Sequence, residues 1–538
     1  MRRGILTQQE EEKLFARKAS GLVKEASGLK ALMFNFVDTM GGKFFWSVSM
    51  FGLFPAALIF GFPTLLWFFL LIIAIDVVIG IVYVQVVTPM PRSGADYVVP
   101  GRIMGPFWGW INSWMIVFSW IPLWGYVGWM TLQNITLVGT MLNLAGVVGN
   151  VSWILTSPAD WIFGTLAIVL AMAFCLIPPK KLYTLMLSIG LVAVLGFAAV
   201  FVSAAVAGTS HFSANLLSLT GNSTSDVVNG AASNGFNINA SLGFYGLAGL
   251  LGYVLFAGGG GWYSASITGE LRGNVKRALS ISIFGGIALY FVYQILFVWG
   301  LAKVIGYDLV ASWSYLYFNT NSAPLNVPLI NGLAGQIAMP GLWPIWIFFA
   351  LAGLVATWCI VPASMIYINR QVLYWGMDRS LPKSVTTVWR GVPIKVFIAE
   401  GVVAFAFYAF TLLGVSPLSY PWWSNLLSLT YFFFPAFCGI IIVMKRKDIM
   451  AAVPWKKALL PLSLVTIILM APIYLIGCYG GTTGLSPGQT LWGWAIETGL
   501  ILTAVVIVVG VVVYYAVRSY NLKRGIELDK IYKEIPPD

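Results

Sequence analysis

An all-α polytopic membrane protein of twelve spans is the fold class this sequence predicts, and three observations predict it. Hydrophobic residues fill 59% of the 538 positions and charged residues only 9%, whereas soluble domains carry about 25% charge. The apolar residues gather in blocks of about twenty, the length that crosses a hydrocarbon core. Lys and Arg fall in alternate gaps between those blocks, as the positive-inside rule requires of a chain that crosses repeatedly.

In chain order, residues 1–39 read as a cytosolic N-terminal segment, of which the first 33 are a partly amphipathic lead-in. It is rich in charge and has no apolar core of the kind that marks a signal peptide. Spans 1–5 occupy 40–206, at about 40–61, 64–88, 106–134, 159–178 and 182–206. An extracellular loop, 207–242, comes next; it is rich in Ser, Asn, Gly and Thr, as solvated loops are. Spans 6–10 occupy 243–443, at about 243–266, 278–302, 343–368, 396–415 and 424–443. Spans 11 and 12 lie within 444–516, at about 458–478 and 491–516, and 517–538 form a cytosolic tail. With both termini inside, every Lys and Arg except Lys43 and Lys303 falls in an inner segment. The glycosylation sequons at Asn134, Asn150, Asn222 and Asn239 then all fall at outer span ends or in outer loops. The aromatic run Trp313–Phe318 reads as an interfacial belt rather than a lid.

Composition also excludes classes. The net charge of +12 is distributed by topology, so it points to a bilayer and not to nucleic acid. Cys175, Cys359, Cys438 and Cys478 lack metal spacing and read as small packing residues. The single histidine, His211, sits in a polar stretch and offers no intramembrane relay. There is no phosphate-binding loop, HExxH or nucleophile elbow. The sequence implies no enzyme activity, no cofactor and no metal.

The most informative stretch is Phe256-Ala-Gly258-Gly259-Gly260-Gly261-Trp262, inside span 6. Each mid-helix glycine costs roughly 1 kcal/mol relative to alanine, so four in a row are a natural place for a helix to come apart. Unwound backbone is tolerated at membrane depth only where protein buries it or a wet cavity adjoins it, and broken helices of this kind build the binding sites of many carriers. The alternative is close packing of two helices through small residues.

The residues just beyond the glycines carry a resemblance. Gly269-Glu270-Leu271-Arg272-Gly273-Asn274-Val275-Lys276-Arg277 resembles the end of the sixth span in the amino acid–polyamine–organocation (APC) superfamily of transporters. Pro89-Met90-Pro91-Arg92-Ser93-Gly94-Ala95-Asp96-Tyr97, then Gly105-Pro106 and Gly109-Trp110, resembles its inner loop between spans 2 and 3. Arg370 to Tyr374 with Asp378-Arg379-Ser380-Leu381-Pro382, followed by Pro393, resembles its loop after span 8. The resemblance implies a leucine-transporter-like fold. Spans 1–5 and 6–10 would be inverted repeats with two further helices appended, and span 1, like span 6, would be broken at the substrate. Span 1 departs from the family: Ser47-Val48-Ser49-Met50-Phe51-Gly52, with Pro55 beyond, stands where a glycine-rich break is usual. Proline and glycine still loosen the helical ladder there.

The expected substrate site therefore comprises Ser47, Ser49, Met50, Phe51 and Gly52 from span 1 and Phe256, Gly258, Gly259, Gly260, Gly261 and Trp262 from span 6. Free N–H groups at half-helix N-termini suit a carboxylate; free carbonyls suit an ammonium. Asp76, central in span 2, is expensive to insert and by default functional or paired. Lys43, on the inner side of the span 1 break, either snorkels or titrates beside the site. Thr357 and Ser364 are the span 8 hydroxyls available where sodium-coupled relatives hold a sodium ion. Glu400 and Glu497 lie nearer span ends and should reach interfacial partners. Glu270 should pair with a basic residue of an inner loop, Arg92 or Arg370, as an inner gate.

The resulting expectation is a secondary-active importer or exchanger of amino acids or related organic amines in the cytoplasmic membrane, coupled to H+ or Na+ with H+ favoured. A carrier of nucleobases or another small solute on the same fold, and a non-transporting sensor or accessory subunit, are the competing readings.

Overall fold

The computed structural model describes residues 24–40, 62–237, 262–293, 295, 300–329, 331–389, 392–414, 432–479, 484–486, 489–490 and 495–532. The first helix, α1, is Gly28–Met40. It begins well ahead of the expected start of span 1, and its Ala31, Leu32, Met33, Phe34, Phe36 and Val37 are all buried. Lys30, Asn35 and Asp38 make this stretch look amphipathic in sequence, yet Asn35 is buried as well.

The succeeding helices are α2 Phe62–Val87, α3 Ala95–Ile103, α4 Pro106–Leu144, α5 Ala159–Phe174, α6 Pro179–Thr220, α7 Thr224–Ser233 and α8 Val275–Tyr293. Then come α9 Tyr307–Tyr315, α10 Asn331–Ala338, α11 Trp343–Met377, α12 Ile394–Leu412, α13 Phe433–Lys445, α14 Lys456–Tyr479 and α15 Ala495–Lys523. Short two-stranded hairpins, Val388–Trp389 with Val392–Pro393 and Gly484–Ser486 with Gln489–Thr490, are the strands among the described residues.

The apolar surface shows what solvent these helices meet. Ile162, Leu166 and Val169 on α5, Leu191 and Leu195 on α6, Ile398, Val402 and Phe405 on α12, and Ile501, Val505, Val508 and Val512 on α15 are exposed. They recur at three and four residues, so each helix turns an apolar stripe outward. Around a water-soluble protein such patches would drive association; in a bilayer they face lipid. Among the described residues, seven helical stretches are long and apolar enough to cross a membrane.

Packing follows a repeat. α4 packs on α11 and also on α5 and α12; α11 packs on α12 and α5. Exchanging span 3 with span 8 and span 4 with span 9 turns the α4–α12 contact into α11–α5, and α4–α5 into α11–α12. The α2–α8 contact maps onto itself under the matching exchange of spans 2 and 7. This is the pattern of two five-helix repeats related by a pseudo-two-fold axis. α1 packs against α6 and α8, and α14 and α15 attach to the outside through α2, α13 and α4.

Several expectations are revised. α6 runs on past residue 206 to Thr220, kinked at Gly208, and α7 comes after it with a Ser223–Asp226 capping box. The stretch 207–242 is thus helical over much of its described length, because a polar composition does not forbid helix where caps are present. Trp313 and Tyr315 are buried, not interfacial. Trp313 donates to the Val327 carbonyl at 2.8 Å, and Tyr315 stacks on Phe236 at 4.8 Å, so this segment caps the bundle from within the protein. Asn134 is buried inside α4, its amide on the Thr357 hydroxyl at 3.1 Å, so its sequon is no glycan acceptor in the folded chain. Glu400 is buried on α12 facing Asn369 rather than reaching an interface. The side chain of Glu497 lies outside the described residues. Cys175, Cys359 and Cys438 are buried free thiols.

Candidate gate at the end of span 6

Between Trp262 and the start of α8 the chain forms no α-helix. Trp262 leads into two 3-10 turns, Tyr263–Ser266 and Thr268–Glu270, both buried. Their irregular backbone needs partners, and α1 supplies them. The Asn35 side chain accepts from the Ser264 N–H at 2.6 Å and donates to the Ser264 hydroxyl and the Ser282 carbonyl, each at 3.0 Å. One amide thus satisfies the end of span 6 and ties it to α1 and α8.

Aromatic rings wall this turn. Trp262 stacks on Tyr83 of α2 at 5.9 Å and meets Phe432 edge-on at 5.0 Å. Tyr263 meets Trp120 of α4 at 5.1 Å and Tyr367 of α11 at 5.4 Å, both edge-on. Such pairs add about 0.5–1.5 kcal/mol beyond area burial.

The turn ends in a locked charge. Arg370 of α11 grips the Glu270 carboxylate with two guanidinium nitrogens, at 2.7 and 3.2 Å, and both side chains are buried. Tyr183 of α6 donates to the same carboxylate at 3.1 Å and Ser93 at 3.3 Å. The Glu270 carbonyl accepts from the N–H groups of Glu25 and Ala26, at 3.0 Å each, and Arg272 returns an N–H to the Ala26 carbonyl at 2.9 Å. The Gly94 N–H donates to the Ser266 carbonyl at 2.7 Å. Gly94 has φ of +67°, and a Cβ there would meet the Arg370 carbonyl at 2.8 Å, so glycine is required on both counts. Residues from the N-terminal segment, the loop before α3, α6, the end of span 6 and α11 are therefore fastened at one point. Arg92 contributes differently: its carbonyl accepts from Thr268 at 3.4 Å.

Next to this lock lies a second polar centre. The Asp96 carboxylate accepts from the hydroxyls of Tyr83 at 2.9 Å, Ser266 at 2.9 Å and Tyr367 at 3.1 Å. Burial raises its pKa, opposed by the hydrogen bonds from those hydroxyls. On the far end of α3, Arg102 forms a buried pair with Asp378 at 2.7 Å. Burial depresses the Arg102 guanidinium and Asp378 more than restores it. Tyr532, from beyond α15, covers Arg102 at 4.5 Å in cation–π geometry and shares a short hydrogen bond with Tyr97.

Of the residues singled out in the sequence, Glu270, Arg370 and Trp262 come together here, with Arg92 at the edge. Asp76 is buried on α2. Thr357 is buried on α11, donating to the Gly353 carbonyl at 3.0 Å while accepting from Asn134. Ser364 donates to carbonyls of its own helix and accepts from Trp124 at 2.8 Å. Lys43, Ser47, Ser49, Met50, Phe51, Gly52, Phe256 and Gly258 to Gly261 lie outside the described residues. Asn35, Asp96, Ser266, Tyr83, Tyr367 and Tyr183 were not singled out. Asp96 stood inside the quoted inner-loop motif, the one sequence signal that pointed near it; the others are ordinary residues whose roles depend on tertiary contacts.

A family model described as amino acid permease matches residues 31–512. The chain belongs to the amino acid permease family. It is accordingly a multi-pass membrane transporter of the APC superfamily, built on the paired five-helix repeat. No curated protein matches this permease in sequence. Among solved structures it is similar to a Na+-coupled sialic acid symporter in a substrate-bound outward-open state. The two are 13% identical, the match covers 89% of this chain and 95% of that one, and the TM-score is 0.46.

Proposed function

We propose that this permease is a proton-linked importer or exchanger of amino acids or related organic amines, working by alternating access in the cytoplasmic membrane with both termini cytosolic. The observation that carries the reading is the Glu270–Arg370 lock at the end of the segment beyond the tetraglycine. A span 6 broken at the tetraglycine would supply backbone groups for a zwitterion or amine, and its far end is held by the buried ion pair between Glu270 and Arg370 of α11. Release of that pair would open the path on the cytosolic side, so Glu270, Arg370 and Arg92 form the inner gate. The substrate would lie between Ser47–Gly52 and Phe256–Trp262, with Trp262 as a wall.

The coupling assignment has its own support. The Thr357 and Ser364 hydroxyls are engaged by Asn134 and Trp124 of α4, which favours a site that does not depend on a sodium ion held by span 8. Lys43 would supply the positive charge beside the span 1 break, binding and releasing a proton with Asp76 as partner or second site. Because Ser47–Gly52 departs from the usual glycine-rich break, a nucleobase or other small solute is the alternative cargo. A thermal-shift screen of the purified protein separates them, since a ligand that binds only the folded state raises its melting temperature. Amino acids or amines should raise it; a response to nucleobases alone would overturn the assignment.

A further inference from the structure

The group the gate leaves unexplained is Asp96. It lies on α3, outside the spanning helices, and is buried. Its three hydroxyl donors come from three different elements: Tyr83 from α2, Ser266 from the turn that ends span 6, and Tyr367 from α11. Two of those rings also touch the residues just beyond the tetraglycine, Tyr83 stacking on Trp262 and Tyr367 meeting Tyr263.

The charges around it are settled elsewhere. From α2 and α11 the titratable groups facing Asp96 are the Tyr83 and Tyr367 phenols, and from α13 the Cys438 thiol. The span 6 turn offers the Ser266 hydroxyl, and α4 offers the Asn112 amide, which donates at 2.5 Å to the Asp96 carbonyl. On α3 itself Tyr97 is bonded to Tyr532 and Arg102 is held by Asp378. Arg370, one turn along α11 from Tyr367, is held by Glu270. Asp96 is thus a buried carboxylate stabilised by neutral hydroxyls, the arrangement in which one proton changes most.

An ionised carboxylate is an acceptor only and holds all three hydroxyls by charge-assisted bonds; a protonated one becomes a donor as well, and the bonds it still accepts lose that assistance and weaken by about half. We propose that Asp96 is a proton-binding site that sets the state of the gate: ionised, it fastens α2 and the end of span 6 to α11, and protonated, it lets them part. The proton adds to a carboxylate oxygen and leaves from it, with no other bond made or broken. This rests on the carrier reading and adds to it a proton site separate from Lys43. Burial, which raises the Asp96 pKa, brings such protonation closer to physiological pH.

The test uses the full chain in proteoliposomes without substrate, its own cysteines replaced by alanine. Infrared difference spectra follow the carboxylic-acid carbonyl band as pH is lowered, and a thiol reagent follows Ala26→Cys, which is buried beside Leu271 at the gate. The wild type should show a band, and a rise in labelling, with one shared midpoint. Asp96→Asn should lose the band and make labelling independent of pH. Tyr83→Phe with Tyr367→Phe, which removes bonds that favour the charged form, should move both midpoints to higher pH by about one unit or more. An unchanged band and labelling profile in Asp96→Asn, or an unmoved midpoint in the double phenylalanine variant, would overturn the proposal. Neither readout needs a transported amine, so failure here and failure of the substrate assignment are separate results.

Discussion

At the scale of single residues, two buried ion pairs, Glu270–Arg370 and Arg102–Asp378, fasten the elements around the gate of this permease. Removing one partner of such a pair leaves the other charge uncompensated, at a cost of about 3–5 kcal/mol, while replacing both is far milder. Arg370→Met should therefore lower the melting temperature sharply, and Glu270→Gln with Arg370→Met should recover most of the loss; equal losses in both variants would mean the pair is not the anchor. Asp96 behaves in the opposite sense: its hydroxyl bonds favour the closed gate over the open one, but burial costs the ionised form more in the folded chain than in the unfolded one. Its folded-state pKa is raised above the unfolded value, so its contribution is fully present below the unfolded pKa and is lost as pH rises through the folded one. Asp96→Asn should gain stability relative to wild type across that rise and show no relative gain in acid, measured as melting temperature against pH. A difference constant with pH would contradict the shift. These residues also show how much was legible in the sequence. Glu270 and its basic partner were readable because charge is scarce in so apolar a chain. Asn35 was not, since an asparagine in an amphipathic stretch looks like a solvated face until the unwound turn it satisfies is seen.

At the scale of elements, the inner architecture depends on close backbone approach. A Cβ on Gly109 of α4 would lie 2.6 Å from the Gly101 Cα of α3. Gly109→Ala should push α3 outward, with the Asp96 and Arg102 it carries, and overpacking of this kind costs about 1–3 kcal/mol. Thermal stability should fall, and the pH midpoint of gate labelling should shift with it; an unaltered protein would show that α3 is free to move. The C-terminal element is similarly specific. Leu528 and Tyr532 are buried, and Asn521 donates to the Arg379 carbonyl at 2.8 Å. A polar tail was legible from composition, but its docking on Arg102 was not, because one tyrosine among 23 carries no positional signal. Helix boundaries failed for the same kind of reason. The buried face of α1 and the extension of α6 past Gly208 are set by neighbours and caps, whereas hydropathy reports only what meets lipid.

At the scale of the whole molecule, the polytopic helical class was legible because lipid imposes apolar blocks and alternating basic gaps, whereas the repeat was legible only through the family resemblance that three loop motifs carry. Orientation makes a direct prediction. Ser225 and Ser384 are both exposed; a cysteine at Ser225 should react with an impermeant reagent on intact cells, and one at Ser384 only after permeabilisation. Reaction of Ser384→Cys in intact cells would invert the topology. The proposed break in span 6 makes another: Gly259→Leu with Gly260→Leu should leave insertion intact and abolish ligand-induced thermal shift, and near-normal affinity would remove span 6 from the site. The central claim, proton-linked carriage of an amine or amino acid, is tested most directly by uptake into liposomes with imposed gradients. The account predicts accumulation driven by a proton gradient in the absence of sodium, abolished in Lys43→Ala. Accumulation driven by a sodium gradient but not by a proton gradient, with Lys43→Ala transporting normally, would contradict it.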